Sequence, residues 1–306
     1  MKVAIIGRTE ALYDTTRLLI RSGHSIACII TAKAAPEYTK NEADFKQLAN
    51  ELNIPFAHSV RLENELPLLK SLDVDIGVSM NYPAVISEEI IASFPFGILN
   101  AHGGDLPRYR GNACQAWAIL NSEKKIGLCI HKMVGGELDS GDIIARDYLA
   151  MNSDSKITNV LNWINTRVPE LYVQALNTLK FDPQFVLEKQ SKNQDDALRC
   201  YPRLPEDGRI NWDLTASQIL RLINASNRPY SGAFCKFEDK NVTIWDATLV
   251  TDNEQFCAIP GQITKIDNDY IEVACGQGKL RLNQIEVSAI VGKPNEWIKS
   301  IRKRLT

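Results

Sequence analysis

The sequence predicts an α/β protein in two parts: a doubly wound, mostly parallel twisted sheet with flanking helices, then a small β-barrel-like domain. Three observations carry this. From Lys2 to about Met151, short β-branched runs alternate with helical patterns, as in a parallel sheet with crossover helices. Beyond residue 201 the chain turns to short strand-like pieces separated by polar turns. Between them KQSKNQDDALRCYPRLPEDG is polar, with two prolines and a glycine near its end, and reads as a linker. We therefore expect a first domain over 1–190, a linker over 191–200 and a second domain over 201–306. At 306 residues, 44% hydrophobic and 24% charged, the chain can bury one large core and a smaller one.

In order, the first-domain strands are VAIIG, SIACIIT, IPFAHS, VDIGVSM and GILNAH. ALYDTTRLLIRSG, between the first two, has apolar residues at helical spacing and Gly23 as a C-cap. Asn41 can cap EADFKQLANEL. Ser87 can cap EEIIASF, with acids in the first turn where the helix dipole favours them. IGLCIHKMV and DIIARDYLAM form a hairpin-like pair, and a helix from about Ile157 to Leu179 carries Pro169, predicting a kink or break there. The second domain has INW, a helical LTASQILRLINAS, and the strands GAFCKFE, NVTIWDATLV, GQITKID, YIEVAC and GKLRLNQIEV.

Composition narrows the function. A formal net charge of −2 gives no bulk attraction for phosphate backbones. The apolar run at the N-terminus is cut short by Arg8 and Glu10, no run approaches a membrane span, and a cytoplasmic protein is expected. The seven cysteines contain no CxxC and read as reduced, mostly buried thiols. GRTEAL after the first strand has one glycine where a dinucleotide site needs three, and no GxxxxGK[ST], GxSxG or HExxH occurs.

Chemistry is expected where GILNAH ends, because ligands of open α/β sheets bind beyond the carboxyl ends of the strands. Asn100 and His102 are two apart and share one face there. Either they hydrogen-bond the following loop or they face a substrate. The loop GGDLPRYRGN opens with Gly103 and Gly104, is stiffened by Pro107, and carries Arg108 and Arg110, which are either solvated or hold an anion. Some thirty residues later, VGGELDSGD places Asp139 between glycines, as a turn aspartate or as a third member of the site. With no Ser or Cys nucleophile in the set, Asn, His and Asp suit direct acyl transfer to an external amine. A metal would need at least three ligands, and none is expected.

FGILNAHGGDLPRYRGN with VGGELDSGDII closely resembles the paired signature of the folate-dependent formyltransferases, N-x-H-x-S-x-L-P-x-x-x-G and a later Asp before a glycine-containing turn. The resemblance implies a Rossmann-like catalytic domain that binds 10-formyltetrahydrofolate as co-substrate. It implies Asn100, His102 and Asp139 as the catalytic trio. The pterin would lie against Met80, Asn81 and Tyr82 and against the 133–139 backbone, including Val134, Gly135 and Gly136. Gly104 stands where the family usually has serine. GRINWDLTASQILRLINASNRPYSGAF with VTIWDA is similar to the family's C-terminal domain, an open, oligonucleotide-binding-like β-barrel. Trp212 and Trp245 then read as packing or domain-contact residues.

The family's acceptors include initiator tRNA, glycinamide ribonucleotide and nucleotide-linked amino sugars. The tRNA enzymes carry a basic, glycine-containing insertion after the second strand; here TAKAAPEYTKNEADFKQ balances lysines with acids and has no glycine. Residues 201–306 hold 14 Lys/Arg against 13 Asp/Glu, where phosphate-backbone binding needs a surplus of cations. The expectation is N-formylation of an amino sugar on UDP or dTDP in a surface-glycan pathway. Arg108, Arg110 or Lys132 would hold phosphates and Tyr109 the base. No nucleic-acid or membrane partner is expected, and a homodimer is compatible with the reading. The alternatives are a methionyl-tRNA formyltransferase, a formyltransferase for another small amine, and a non-catalytic folate or sugar-nucleotide binding protein.

Overall fold

A computed structural model describes residues 1–306. The chain orders β1 (Lys2–Gly7), α1 (Glu10–Arg21), β2 (Ser25–Thr31), α2 (Glu42–Leu52), β3 (Phe56–His58), α3 (Leu66–Ser71), β4 (Ile76–Met80), α4 (Glu88–Ile91) and β5 (Ile98–His102). There follow β6 (Arg110–Gly111), α5 (Cys114–Leu120), β7 (Lys125–Lys132), β8 (Ile143–Ala150), α6 (Ile157–Phe181) and β9 (Arg199–Cys200). Last come α7 (Ala216–Ala225), β10 (Ala233–Phe237), β11 (Lys240–Leu249), β12 (Ile263–Ile266), β13 (Ile271–Ala274), β14 (Lys279–Val287) and β15 (Ile290–Gly292).

The chain divides into two units, both discontinuous: 1–114 with 126–149 and 161–201, and 115–125 with 150–160 and 202–306. In the first, seven strands run in the order β3-β2-β1-β4-β5-β7-β8, parallel from β3 through β5, with β7 antiparallel to β5. This is the doubly wound, Rossmann-like sheet that the alternating runs predict. Strand order reverses between β1 and β4, where Gly7 faces Met80. Gly7 has φ +140°, and a Cβ there would lie 2.1 Å from the Met80 carbonyl oxygen, so only glycine fits this junction.

The central strands are apolar on both faces. Val3, Ile5, Ile6, Ile29, Ile30, Ile76 and Val78 are buried, as helices on both sides of a parallel sheet require. α1 starts at Thr9, whose hydroxyl accepts from Leu12 N–H, and α2 starts with a full capping box between Asn41 and Asp44. α4 is only four residues long, and the Ser87 side chain caps nothing. Of the kink or break expected at Pro169, the break does not occur; α6 runs on through it. Beyond Leu161 that helix buries Ile164, Val168, Leu171, Tyr172, Leu176 and Leu179. Such burial, at about 1.5–3 kcal/mol per large apolar side chain, outweighs the roughly 3 kcal/mol that proline costs inside a helix. Tyr172 also donates its hydroxyl to the Ser79 carbonyl at 2.5 Å, tying α6 to β4.

The second unit is an open antiparallel sheet in the order β10-β11-β14-β13-β12, with β15 on β14 and α7 packed on β11. Its core holds Trp212, Ile219, Ile223, Ile244, Ile271, Leu282 and Ile285. The segments 115–125 and 150–160 belong here because Arg221 donates to the Leu120 carbonyl, Asn224 to the Ser153 carbonyl, and Lys156 pairs with Asp246. Trp245 is buried, donates to Glu286 at 2.9 Å and lies under the Arg228 guanidinium. All seven cysteines are free, and only Cys257 is exposed.

Candidate active site

β5 delivers Asn100 and His102 to the carboxyl end of the sheet, two positions apart and on one face. Antiparallel register sets Asn100 opposite His131 and His102 opposite Cys129, so the β7 side chains share that face. Asn100 Nδ2 lies 3.3 Å from His131 Nε2. The His131 Nδ1–H donates to the Lys132 carbonyl at 2.9 Å, which turns Nε2 toward the asparagine amide and Asp139.

Asp139 lies across from both rings, with Oδ2 3.5 Å from His102 Nδ1 and Oδ1 3.5 Å from His131 Nε2. Oδ2 also accepts the Gly111 N–H at 2.9 Å. Burial pushes the Asp139 pKa up, but the two histidines and the Gly111 N–H outweigh it and hold the carboxyl well below the usual range. The carboxyl is therefore ionised at neutral pH. The turn that presents it puts Asp139 at φ +52°, a left-handed conformation that aspartate tolerates better than most residues.

His102 is buried, and its Nε2–H donates to the Tyr109 carbonyl at 2.6 Å. That bond leaves Nδ1 as the nitrogen facing Asp139. Gly104 makes it possible. A Cβ at 104 would lie 2.4 Å from the Tyr109 oxygen and 2.6 Å from His102 Nε2, in the space the hydrogen bond occupies. Below this loop, Leu106 packs with Cys129 and Ile143. Arg146 braces it from the side, donating to Asp105 Oδ1 and the Leu106 carbonyl and pairing with Glu188.

The loops after β4 and β7 adjoin. Gly135 N–H donates to Glu88 Oε2 at 3.0 Å and Gly136 N–H to the Ile86 carbonyl at 3.3 Å. Met80 is buried and its sulfur accepts from Thr9; Tyr82 is half-buried and donates to the Ser59 carbonyl. Asn81, at φ +51°, donates to the Tyr38 hydroxyl and accepts from Arg8 through its carbonyl. Val134 is exposed beside them.

Among the cations of the loop, Arg108 is exposed with its guanidinium 5.7 Å from the Tyr109 ring centre, while Tyr109 itself is buried. Arg110 spends one terminal nitrogen on Gln190, at 2.8 Å. Lys132 is half-buried at the end of β7. Sequence reasoning missed His131, Arg146 and Gln190. His131 reads as one polar residue in an apolar strand, and its sole signal is alternation: it falls on the face that the strand pairing gives to Asn100.

Family profiles match both parts of the chain, "Formyl transferase" over residues 1–176 and "Formyl transferase, C-terminal domain" over 204–301. The chain belongs to the formyl transferase family. It is an enzyme that transfers a one-carbon formyl group. It is 29% identical over 294 residues to the methionyl-tRNA formyltransferase of Coxiella burnetii, covering 94% of this chain and 91% of that one. Among solved structures, the N-formyltransferase of Helicobacter canadensis, in complex with folinic acid and dTDP-3-aminofucose, superposes with a TM-score of 0.68 at 16% identity. That match covers 92% of this chain and 99% of the other. HypX from Aquifex aeolicus, in complex with tetrahydrofolic acid, gives a TM-score of 0.63 at 16% identity over 98% of this chain, which spans 47% of HypX. At these identities the structural likeness is one of fold.

Proposed function

We propose that this formyltransferase moves the formyl group of 10-formyltetrahydrofolate to the amine of an amino sugar carried on a nucleotide, UDP or dTDP. The observation that carries the reaction is the convergence of Asn100, His102, His131 and Asp139 around one buried carboxylate at the end of β5, in a member of this family. The folate supplies the formyl carbon and departs as tetrahydrofolate. Its ring would lie between the loops carrying Met80, Asn81 and Tyr82 and Val134, Gly135 and Gly136.

Asn100, through its amide N–H, and His102, through Nδ1–H, would donate to the negative charge that develops on the formyl oxygen as the amine adds. The Tyr109 carbonyl holds the other ring nitrogen of His102, so the imidazole meets that charge without reorienting. Asp139 orients both histidines and takes up the amine proton directly or through water as the amine adds, while the nitrogen of the departing tetrahydrofolate gains one in exchange. Tight bonding of Asp139 to Gly111 means its carboxylate acts from a fixed position.

The acceptor class rests on charge. The segment after β2 balances its lysines with acids, and residues 201–306 carry 14 Lys/Arg against 13 Asp/Glu, a net of one positive charge with which to hold a tRNA backbone. A sugar nucleotide asks for two phosphate contacts, which Arg108 and Lys132 can supply from the rim; the Tyr109 ring, expected to hold the base, is buried and closed to it. The test is direct. Purified enzyme with 10-formyltetrahydrofolate is offered UDP- and dTDP-linked amino sugars in parallel with charged initiator tRNA. We expect formylation of a sugar amine, with turnover reduced on the order of 10²–10³-fold in His102→Ala and Asp139→Asn. Formylation of tRNA and no sugar would overturn the acceptor assignment, and substantial turnover in both variants would overturn the roles of the residues.

A further inference from the structure

We propose that Gln190 is a positioning residue for Asp139, and that the chain from 187 to 201 is a working part of the active site. This rests on the reading of Asp139 as a catalytic group. Gln190 is buried, and every polar atom of its amide is engaged. Nε2 donates to the Asp139 carbonyl at 2.9 Å and to the Gly141 carbonyl at 2.6 Å, gripping both sides of the turn. Oε1 accepts from Arg110 at 2.8 Å. The residue after Arg110 is Gly111, whose N–H holds Asp139 Oδ2. One side chain thus ties the backbone of Asp139 to the strand that fixes its carboxylate.

Chemistry singles out an amide here. Two donors and an acceptor on one planar, neutral group match two carbonyls and a guanidinium. Glutamate would set a negative charge against two carbonyl oxygens, and methionine would fill the volume and bond to none of them. A buried carbonyl stripped of its donor bears a desolvation penalty, which the turn would relieve by moving. The neighbourhood is built to hold the amide in place. Ile143 exchanges hydrogen bonds with Glu188, Gln190 N–H donates to Asp142 at 3.3 Å, and β9 pairs in parallel with β6, setting Cys200 beside Gly111. Arg110 N–H donates to the Leu198 carbonyl and Asn112 N–H to that of Cys200. A polar stretch with the composition of a spacer is therefore bonded at three points to the two loops that carry the anion.

The full-length chain is tested as Gln190→Met and Gln190→Glu. We expect kcat to fall about 10–100-fold in each, with the KM for the formyl donor changed by less than about threefold, since a displacement near 1 Å at a catalytic group costs on that order. In an Asp139→Asn background, Gln190→Met should lower the residual turnover by less than about twofold, because both changes act through one carboxylate. Wild-type kcat in Gln190→Met, or losses that multiply in the double variant, overturns the proposal. Backbone amide exchange supplies a readout that needs no acceptor and separates this proposal from the assignment of the substrate. In Gln190→Met the Gly111 amide should exchange at least about tenfold faster while the Asn112 amide stays within about threefold. An unchanged Gly111 amide overturns the proposal, and equal acceleration of both shows loss of the β6–β9 pair instead of misplacement of Asp139 and overturns it as well.

Discussion

Replacing Gly104 with alanine adds one carbon, and the structure specifies where it goes. The new Cβ would sit 2.4 Å from the Tyr109 carbonyl oxygen and 2.6 Å from His102 Nε2, between the two atoms that form a 2.6 Å hydrogen bond. Side-chain carbons essentially never approach closer than 3.0 Å, so the oxygen must retreat by at least about 0.6 Å. Tyr109 is buried at φ +55°, and its loop is anchored below by Leu106 and laterally by Arg146, so this retreat opposes packing on two sides. Overpacking of this kind costs about 1–3 kcal/mol. In a unit of this size that lowers the melting temperature by roughly 2–12 °C. His102 loses its anchor as well. A ring displaced by about half an ångström to one ångström should lower kcat by about 10–100-fold, with the KM for the formyl donor little changed. The assay is steady-state formyl transfer beside a thermal melt, with Gly104→Ser as a second variant that adds a hydroxyl to the same clash. If Gly104→Ala keeps both the wild-type melting temperature and the wild-type kcat, then the His102–Tyr109 contact is neither tight nor needed.

Charge and burial give two further predictions. Because the folded state depresses the Asp139 pKa, the group adds stability above its unfolded value of about 3.9, and this contribution is lost as pH falls through that value toward the folded one. Urea midpoints measured from pH 7 downward should therefore fall more steeply below about pH 5 in the wild type than in Asp139→Asn, and parallel curves would show that the carboxylate is not held by its neighbours. Burial raises the thiols of Cys28, Cys235 and Cys275 to about 12 and that of Cys129 to about 11, while Cys257 is exposed. An aromatic disulfide reagent at pH 8 should consume one thiol quickly in the native protein. Two or more fast equivalents would contradict the packing.

Much of this was legible in the residues. β-branched runs located the strands because a sheet covered on both faces leaves no room for polar side chains at its centre. Asn100 and His102 stood out for the same reason: two polar residues on one face at the end of an apolar strand need partners, and His131 and Tyr109 are those partners. Asp139 was visible through its bracketing glycines. What escaped depends on tertiary pairing. Gln190 and β9 lie in a stretch whose composition is that of a spacer, and a two-residue strand has no periodicity to detect. Arg146 reads as an exposed strand residue, although it bonds a loop forty residues earlier. Pro169 gave a true local signal that the packing of α6 overrode, and Ser87 precedes a helix too short to need its side chain.

The β6–β9 ladder also bears on how such enzymes exchange parts. A chimera joined at the change in composition near residue 190, or a fragment ended there, would part β6 from Leu198 and Cys200 and leave the backbone amides of Arg110 and Asn112 without acceptors. The last of the chain boundaries between the two units lies after Tyr201. Recombination at that point keeps the β6–β9 ladder whole but leaves behind the segments 115–125 and 150–160 that bond the C-terminal sheet, whereas recombination ten residues earlier would carry off a piece of the proposed active site.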